Sequence, residues 1–539
     1  MATYGIDLGT TRSCIAHVDH TGRAVVLRNA IGEETTPSVV YFESPENVVV
    51  GKQAKDTALL APDLVVELVK RRMGEAHPYS FYGQAHTPES ISALILRELA
   101  RAAGEQTGEE VRDVVITVPA YFGLLEREAT RKAGQIAGLS VLDVLPEPVA
   151  AALDYQALGE GTEPRNILVY DLGGGTFDTT VIRVDGDDIH VVCTEGNRQL
   201  GGADWDKKII EFLLRGFTEQ YPQLDPGGDE QFMQELASSA EQLKTALSAV
   251  LSRPQNLRFD GSVVQLVLTR EHFEEITSEL LERTMDYTKL AIDNARERGV
   301  NHFDDVLLVG GMSIMPAVAR TLRERFGLEA RLHDPHLAVA RGAALFALIS
   351  DLKVRLPEDG DAAAMQQAAD ETGLPAAQIE RLRRKTVATV VPRAFGLKVV
   401  DHNDPLYEID PSRARFLIAH LLTANTRLPA DSGPQVFRTV AKNQRAVQLE
   451  VWEQAGAVAS DKPEHNTRIG EGRLEELPAG PAGTPFEVVF HMTEMGVLQV
   501  HAREEKSGSE VRFEIQIGGL DETEVMQATD VVARYEVNG

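Results

Sequence analysis

Cysteine is almost absent from this chain. Two residues in 539, Cys14 and Cys193, cannot build a disulfide framework, and no CxxC pair exists to hold a metal. That usage fits a reducing compartment, and a cytoplasmic location is expected. Long hydrophobic runs are missing as well. No apolar stretch approaches the ~20 residues that span a bilayer. The opening Met-Ala-Thr-Tyr-Gly-Ile-Asp lacks the basic and apolar regions of a signal peptide. A soluble protein with no membrane partner is expected. Basic charge is scarce, with 54 Lys and Arg against 82 Asp and Glu and a net charge of -28. This argues against a broad basic face that grips DNA or an anionic membrane, so no nucleic-acid partner is expected. What is present is ordinary for a globular protein: 43% of residues are apolar. The length exceeds what one hydrophobic core supports, and at least two domains are expected.

Three regions follow along the chain. Up to about Ile349, short β-branched runs such as Val114–Val118 and Asn166–Tyr170 alternate with amphipathic stretches. Ile91, Leu94, Ile95 and Leu99 repeat with helical spacing behind a Thr87-Pro88 start, and Phe273, Ile276, Leu280 and Leu281 do so after Thr269. This alternation predicts a layered α/β domain over 1–352. Residues 353–384 are rich in Ala, Gln and acid and read as a linker with one or two short helices, one of them over Ala376 to Arg383. From 385 to 520 the period becomes two. Val447, Leu449 and Val451 alternate with polar neighbours, as do Phe486, Val488, Phe490 and Met492, and Val511, Phe513, Ile515 and Ile517. With a turn at Met495-Gly496, these short strands predict a small antiparallel β-sandwich. Residues 521–539 hold a single short helix, Asp521 to Tyr535.

Asp7-Leu8-Gly9-Thr10-Thr11 follows an apolar start and precedes Cys14-Ile15-Ala16, a returning strand. Such a hairpin points backbone N–H groups and hydroxyls at one spot, an anion-binding nest. Glycine lets the backbone approach a phosphate closely. Asp171-Leu172-Gly173-Gly174-Gly175-Thr176-Phe177-Asp178 repeats the pattern at the end of a second apolar strand. Two hairpins from the two halves of a duplicated fold can clamp one nucleotide's phosphates from opposite sides. Asp7 and Asp171 then project beside a hydrated Mg²⁺, which favours carboxylate plus phosphate ligation. Gly310-Gly311, after Val306–Val309, either admits the adenosine or simply starts a helix.

With these motifs in place, the chain resembles the seventy-kilodalton heat-shock chaperones, the DnaK-type family. The resemblance is carried by IDLGTT, VITVPAYF (Val115 to Phe122), Glu147-Pro148, DLGGGTFD, Leu200 to Asp206 and VGGMSIMP (Val309 to Pro316), in family order. It extends through Asn425 to Pro429, Val436 to Thr439, Asn443-Gln444 and Met495 to Val500. The resemblance implies an actin-like two-lobed ATPase domain followed by a peptide-binding β-sandwich, with ATP/ADP and Mg²⁺ as cofactors. It implies Lys70 reaching the γ-phosphate, Glu147 near the metal and attacking water, and Asp7 and Asp171 holding the metal through water. Thr10, Thr11 and Thr176 would add hydroxyls, and Gly9, Gly173, Gly174, Gly175, Gly201 and Gly202 backbone. Glu241, Lys244 and Ser248 share one helix face. They would surround the adenosine with Gly310, Gly311 and Ile314, although a Glu241–Lys244 surface pair is the plain alternative. Phe416, Leu417, Ile418, Ala419, Leu421, Val436 and Phe437 would line a groove for extended apolar peptides, or serve as ordinary sandwich core. A nucleotide exchange factor is an implied partner.

Five departures from the family pattern shape the expectation. Ile314 stands where the family has an adenine-packing arginine, and His336 where it has an aspartate. Asp143 reverses the charge of an arginine that meets J-domain co-chaperones, so ordinary J-protein stimulation is not expected. The family's leucine-rich linker appears as Lys385-Thr386-Val387-Ala388-Thr389, with less apolar area for docking. Pro119 and Arg127, which match the family's relay positions, are present. The helical lid is expected to be absent, and bound peptide to exchange quickly. The expected function is an ATP-dependent chaperone with slow ATPase activity. The alternatives are a nucleotide-switched module for one dedicated partner and, without a supporting motif, a small-molecule kinase on the same fold.

Overall fold

The structure, a computed structural model, describes residues 3–157, 163–356, 362–456, 459–494, 496–504, 506–515 and 520–539. Met495 and Ile517, assigned above to a turn and a strand, lie outside them.

Two six-stranded sheets repeat one pattern. In the first lobe, Ser140–Pro146, Asp113–Val118 and Tyr4–Asp7 run parallel, then Arg12–Val18 and Ala24–Leu27 continue antiparallel. In the second, Arg331–Leu332, Asp305–Val309 and Arg165–Leu172 run parallel, then Phe177–Asp185 and Asp188–Asn197 continue antiparallel. The inner strand of each sheet ends at a hairpin carrying Asp7 or Asp171, as the repeated motif predicts. The buried strands are near-continuous apolar runs because both faces are covered.

Local chemistry explains the helices. Thr87 caps Pro88–Thr107 in a reciprocal pair with Ser90, and proline at the first turn loses no hydrogen bond. Thr269 caps Arg270–Ile276, yet the expected continuous stretch breaks before Ser278–Glu297. There the Thr277 hydroxyl donates to the Phe273 carbonyl (2.7 Å), competing with the helical ladder. The alanine-rich Ala338–Arg355 helix packs between the lobes. A Cβ on Gly342 would lie 1.8 Å from the Ala150 carbonyl oxygen, so only glycine fits this crossing. The linker region folds into helices Ala362–Thr372 and Ala376–Arg384, whose Ala368, Ile379 and Leu382 join the core under Ala338–Arg355.

The β-sandwich pairs two antiparallel sheets. One orders Phe416–Leu422, Phe395–Val400, Val447–Gln454 and Asn466–Leu474. The other orders Ala430–Asp431, Pro485–Met492, Leu498–Arg503 and Glu510–Glu514, with Gln435–Arg438 beside Pro485–Met492. Alternate residues such as Leu449, Val451, Val488, Phe490, Leu498 and Val500 form its core.

Two short strands join these regions. Thr386–Ala388 lies parallel to Asp188–His190 at the edge of the second lobe's sheet. The polar linker thus docks through backbone hydrogen bonds, which need little apolar area; only Val387 packs partly on the core. At the other end, the helix ends at Arg534, one residue before the expected Tyr535. Glu536–Asn538 then adds a parallel strand to Asn47–Val50 of the first lobe.

Candidate functional site

The two hairpins meet face to face across a cleft. A Cβ on Gly174 would lie 2.3 Å from the Thr11 hydroxyl, and one on Gly175 2.3 Å from the Thr10 methyl. The Gly9 N–H donates to the Ser13 hydroxyl (3.1 Å), and Ser38 donates to the Gly9 carbonyl (2.8 Å), fixing the first hairpin. Gly202 and Ala203 N–H groups donate to the Gly173 and Gly174 carbonyls (3.0 and 2.8 Å), fixing the second. Gly201 approaches so closely that a Cβ there would strike the Gly175 backbone at 2.5 Å. Gly310 adopts φ +80, and its Cβ would meet an Asp171 carboxylate oxygen at 2.5 Å. Gly311–Ile314 then forms one 3₁₀ turn, with Ile314 half-buried and the His336 ring beside Gly311.

Lys70 sits in the tight Val69–Arg72 turn, 3% exposed, and donates to a Glu147 carboxylate oxygen at 2.6 Å. Its neighbour Arg71 ties the turn to the second hairpin, donating to the Gly175 carbonyl (3.0 Å) and to Asp204 (2.5 Å). Around Lys70 stand Asp7, Glu147, Asp171 and Asp178. Burial, then the Glu147 carboxylate, pushes Asp7 up to about 7 against the pull of Lys70. Burial holds Asp171 well above the carboxylate range, reinforced by Glu147, Asp178 and Asp7. Asp178 rises to about 7, again from burial and then Glu147, although the Tyr121 N–H donates to it at 3.0 Å. Four carboxylates against the Lys70 ammonium, with the Arg127 guanidinium acting on Asp178, leave negative charge that protons or an added cation can neutralise. Among the described residues no three His, Cys, Asp or Glu side chains are grouped closely enough to hold a metal directly.

The outer part of the cleft is bridged. Glu241, on the Glu230–Leu247 helix, pairs with Lys55 of the Lys52–Thr57 helix on the opposite lobe. Lys244 donates to Asp206 (2.5 Å) and the Gly202 carbonyl (3.0 Å), and Ser248 caps the same helix. So Glu241 and Lys244 engage other segments rather than each other. Asp7, Lys70, Glu147, Asp171 and the two glycine hairpins thus lie together, with Gly201 and Gly310 packed against the second.

The groove candidates do not form one surface. Ile418 is buried opposite Lys398, on the sheet face away from the core residue Leu397, and Leu417, Ala419 and Leu421 are half-buried. Phe437 packs on Phe486 with ring centroids 6.1 Å apart. Phe416 and Val436 are exposed, and the Lys398 ammonium lies 4.6 Å over the Phe416 ring.

Sequence reasoning did not single out Asp178, Arg71, Asp204, Asp206 or Lys55. Asp178 had a signal, since it closes the glycine motif and pairs with Asp171 across the hairpin. Also unforeseen was a seam where the sandwich meets both lobes. Glu453 accepts from the Leu124 N–H (3.1 Å), capping the helix Leu124–Ile136 that has only Gly123 at its own N-cap. Arg393 donates to the Tyr121 carbonyl (2.9 Å) and lies 3.5 Å from Glu126 and 3.8 Å from Glu453. Tyr121 in turn donates to the Gly456 carbonyl (2.6 Å). Against the second lobe, Asn425 accepts from the Thr194 N–H (2.9 Å) and donates to Glu195 (3.3 Å). Arg127 braces the seam loop through the Phe122 carbonyl (2.9 Å).

The model of the Hsp70 protein family matches residues 3–80, 76–356 and 412–536, leaving the linker helices, the docked linker strand and the first sandwich strand between the matched segments. With both hairpins and most of the lobes and of the sandwich inside that match, the chain belongs to the Hsp70 family, whose members are ATP-binding chaperones.

Proposed function

We propose that this chain binds ATP with Mg²⁺ between the lobes of an actin-like ATPase domain, hydrolyses it slowly, and uses the nucleotide state to modulate binding of extended apolar peptides by the sandwich. One observation carries the reading: two glycine hairpins in contact above a floor of Asp7, Glu147, Asp171 and Asp178 around Lys70. The hairpin amides suit a polyphosphate, and the surplus carboxylates suit a hydrated divalent cation. Bound Mg²⁺ would supply charge neutralisation for the phosphates. Asp7 and Asp171 would hold the hydrated ion, and Glu147 would orient the attacking water. Lys70, already lodged among the carboxylates, presents its ammonium where charge spreads over the transferred phosphoryl oxygens. Thr10, Thr11 and Thr176 donate hydroxyls, Gly201 and Gly202 brace the second phosphate hairpin, and Glu241, Lys244, Ser248, Gly310, Gly311 and Ile314 frame the adenosine.

The exposed Phe416 and Val436 support a peptide-binding sandwich. A second reading, docking of one dedicated partner, is favoured by how firmly the sandwich is seated on both lobes. A panel of fluorescent peptides, tested with ATP and with ADP, separates the two. The chaperone reading predicts binding to many unrelated apolar peptides, weaker with ATP. Binding of none, with ATP binding intact, supports the dedicated-partner reading.

A further inference from the structure

The sandwich leaves the chain's path at two points, and at both the chain becomes a strand of another domain's sheet. Upstream, Thr386–Ala388 completes the second lobe's sheet, with the Thr386 N–H donating to the Asp187 carbonyl (3.0 Å) and Lys385 to Gln156 (2.9 Å). Downstream, Glu536–Asn538 extends the Asn47–Val50 strand of the first lobe, with Val537 opposite Val48. The Glu536 N–H donates to the Glu46 carbonyl (2.9 Å), and Asn538 to Asn47 (2.9 Å). This tail is part of the first lobe's core. Val532, Tyr535 and Val537 are buried there, Tyr535 lies edge-on to Phe42 (5.8 Å), and its hydroxyl meets the His86 ring nitrogen at 3.0 Å. Arg97 donates to the Val532 carbonyl, closing the helix end against the lobe.

We propose that residues 521–539 form a clasp that keeps the sandwich docked on the ATPase lobes whichever nucleotide occupies the cleft. The nucleotide clause rests on the function proposed above; the clasp itself does not. Only residues 389–394 and 515–520 join the two anchors to the sandwich strands. Such short tethers hold the Glu453 and Asn425 contacts at high effective concentration, so the seam re-forms whenever it opens. A peptide arriving at the sandwich therefore meets it in the docked arrangement. The nucleotide signal must then travel through the seam itself, from Asp178 through the Tyr121 amide to Gly456 and Arg393, rather than by release of the domain.

Amide hydrogen exchange on the full chain tests this, together with a version carrying a site-specific protease sequence in place of residues 516–519. In the uncut chain, amides of 47–50 and of the seam at Leu124 should be equally protected without nucleotide, with ADP and with ATP. After cutting, the tail should stay bound and 47–50 stay protected, while exchange at Leu124 rises by about tenfold or more as the tether is lost. Val537→Asp should expose both sites. Unchanged protection at Leu124 after cutting would overturn the clasp, as would loss of protection at 47–50 on changing nucleotide in the uncut chain. ATP binding, titrated in parallel on the uncut chain, tests the functional reading separately: its absence there would sink that reading and leave the clasp standing.

Discussion

The cleft and the seam both bury carboxylates, and they treat them in opposite ways. In the cleft, Asp7, Glu147, Asp171 and Asp178 share one buried lysine, whose partner is Glu147. In the seam, Glu453 accepts a backbone N–H and faces Arg393, and Glu195 takes hydrogen bonds from Asn294 (2.7 Å) and Asn425. The seam satisfies most of its charge with groups the chain brings itself. The cleft leaves charge over, as a site for a cationic cofactor does. Carboxylates crowded around one ammonium mark where something must bind; carboxylates given donors of their own mark where the protein holds itself together.

Breaking the cleft should have the largest effect. Lys70→Ala removes the ammonium lodged among the carboxylates and should lower ATP turnover by roughly 10²–10³-fold, the usual loss when one transition-state donor is removed. Single-turnover kinetics would show this, with equilibrium ATP binding reduced far less. Gly201→Ala attacks the same site through shape. Its methyl would lie 2.5 Å from the Gly175 backbone and force the second hairpin off the first. ATP affinity, by titration calorimetry, should fall by about tenfold or more, on the order of 1.4 kcal/mol.

Breaking the seam should cost stability rather than chemistry. Arg393→Ala leaves Glu453 buried without its ion-pair partner, while Glu126 keeps Arg198 at 3.0 Å, and should destabilise the chain by about 3 kcal/mol in urea unfolding. ATP binding, measured below the unfolding transition, should persist.

Acidity sharpens the comparison with a smaller effect. Burial raises Glu453 and Glu195 from an ordinary 4.5 to about 7, outweighing Arg393 in one case and the two asparagines in the other. Docking thus takes up protons. Its contribution from these groups is fully present below 4.5 and is lost as pH rises through 7. The thermal midpoint should fall between pH 6 and pH 8, and Glu453→Gln should flatten that fall, since the amide does not titrate. An equal slope in wild type and variant would remove Glu453 from the account. Smallest of all, Lys55→Met loses a partly exposed pair with Glu241 and should shift stability by no more than about 1 kcal/mol.

What the sequence showed, and what it hid, follows the same division. The cleft was legible because its parts are local: a glycine-rich turn, an aspartate at its base and an apolar strand behind it identify both hairpins. The duplicated sheets followed from finding the motif twice. The seam was not legible. Thr386–Ala388 and Glu536–Asn538 are three-residue strands that pair with Asp188–His190 and Asn47–Val49, far away in sequence, through backbone groups every residue carries. A polar linker suggested weak docking only because apolar area was the sole measure of docking that composition provides. Glu453 and Arg393 look like surface charges in an alternating strand and a loop, and only the fold reveals them as buried partners. The helix break at Thr277 was hidden for a local reason, since a threonine hydroxyl bonding back to Phe273 leaves the apolar spacing unchanged.

The central claim is that the carboxylate-rich cleft is an ATP·Mg²⁺ site that turns over. Steady-state ATP hydrolysis by the purified full-length chain, with Mg²⁺ and beside Lys70→Ala, tests it most directly. The account predicts slow hydrolysis that requires Mg²⁺ and disappears in the variant. Hydrolysis that survives unchanged in Lys70→Ala, or a chain that neither hydrolyses nor binds ATP with Mg²⁺ present, would contradict it.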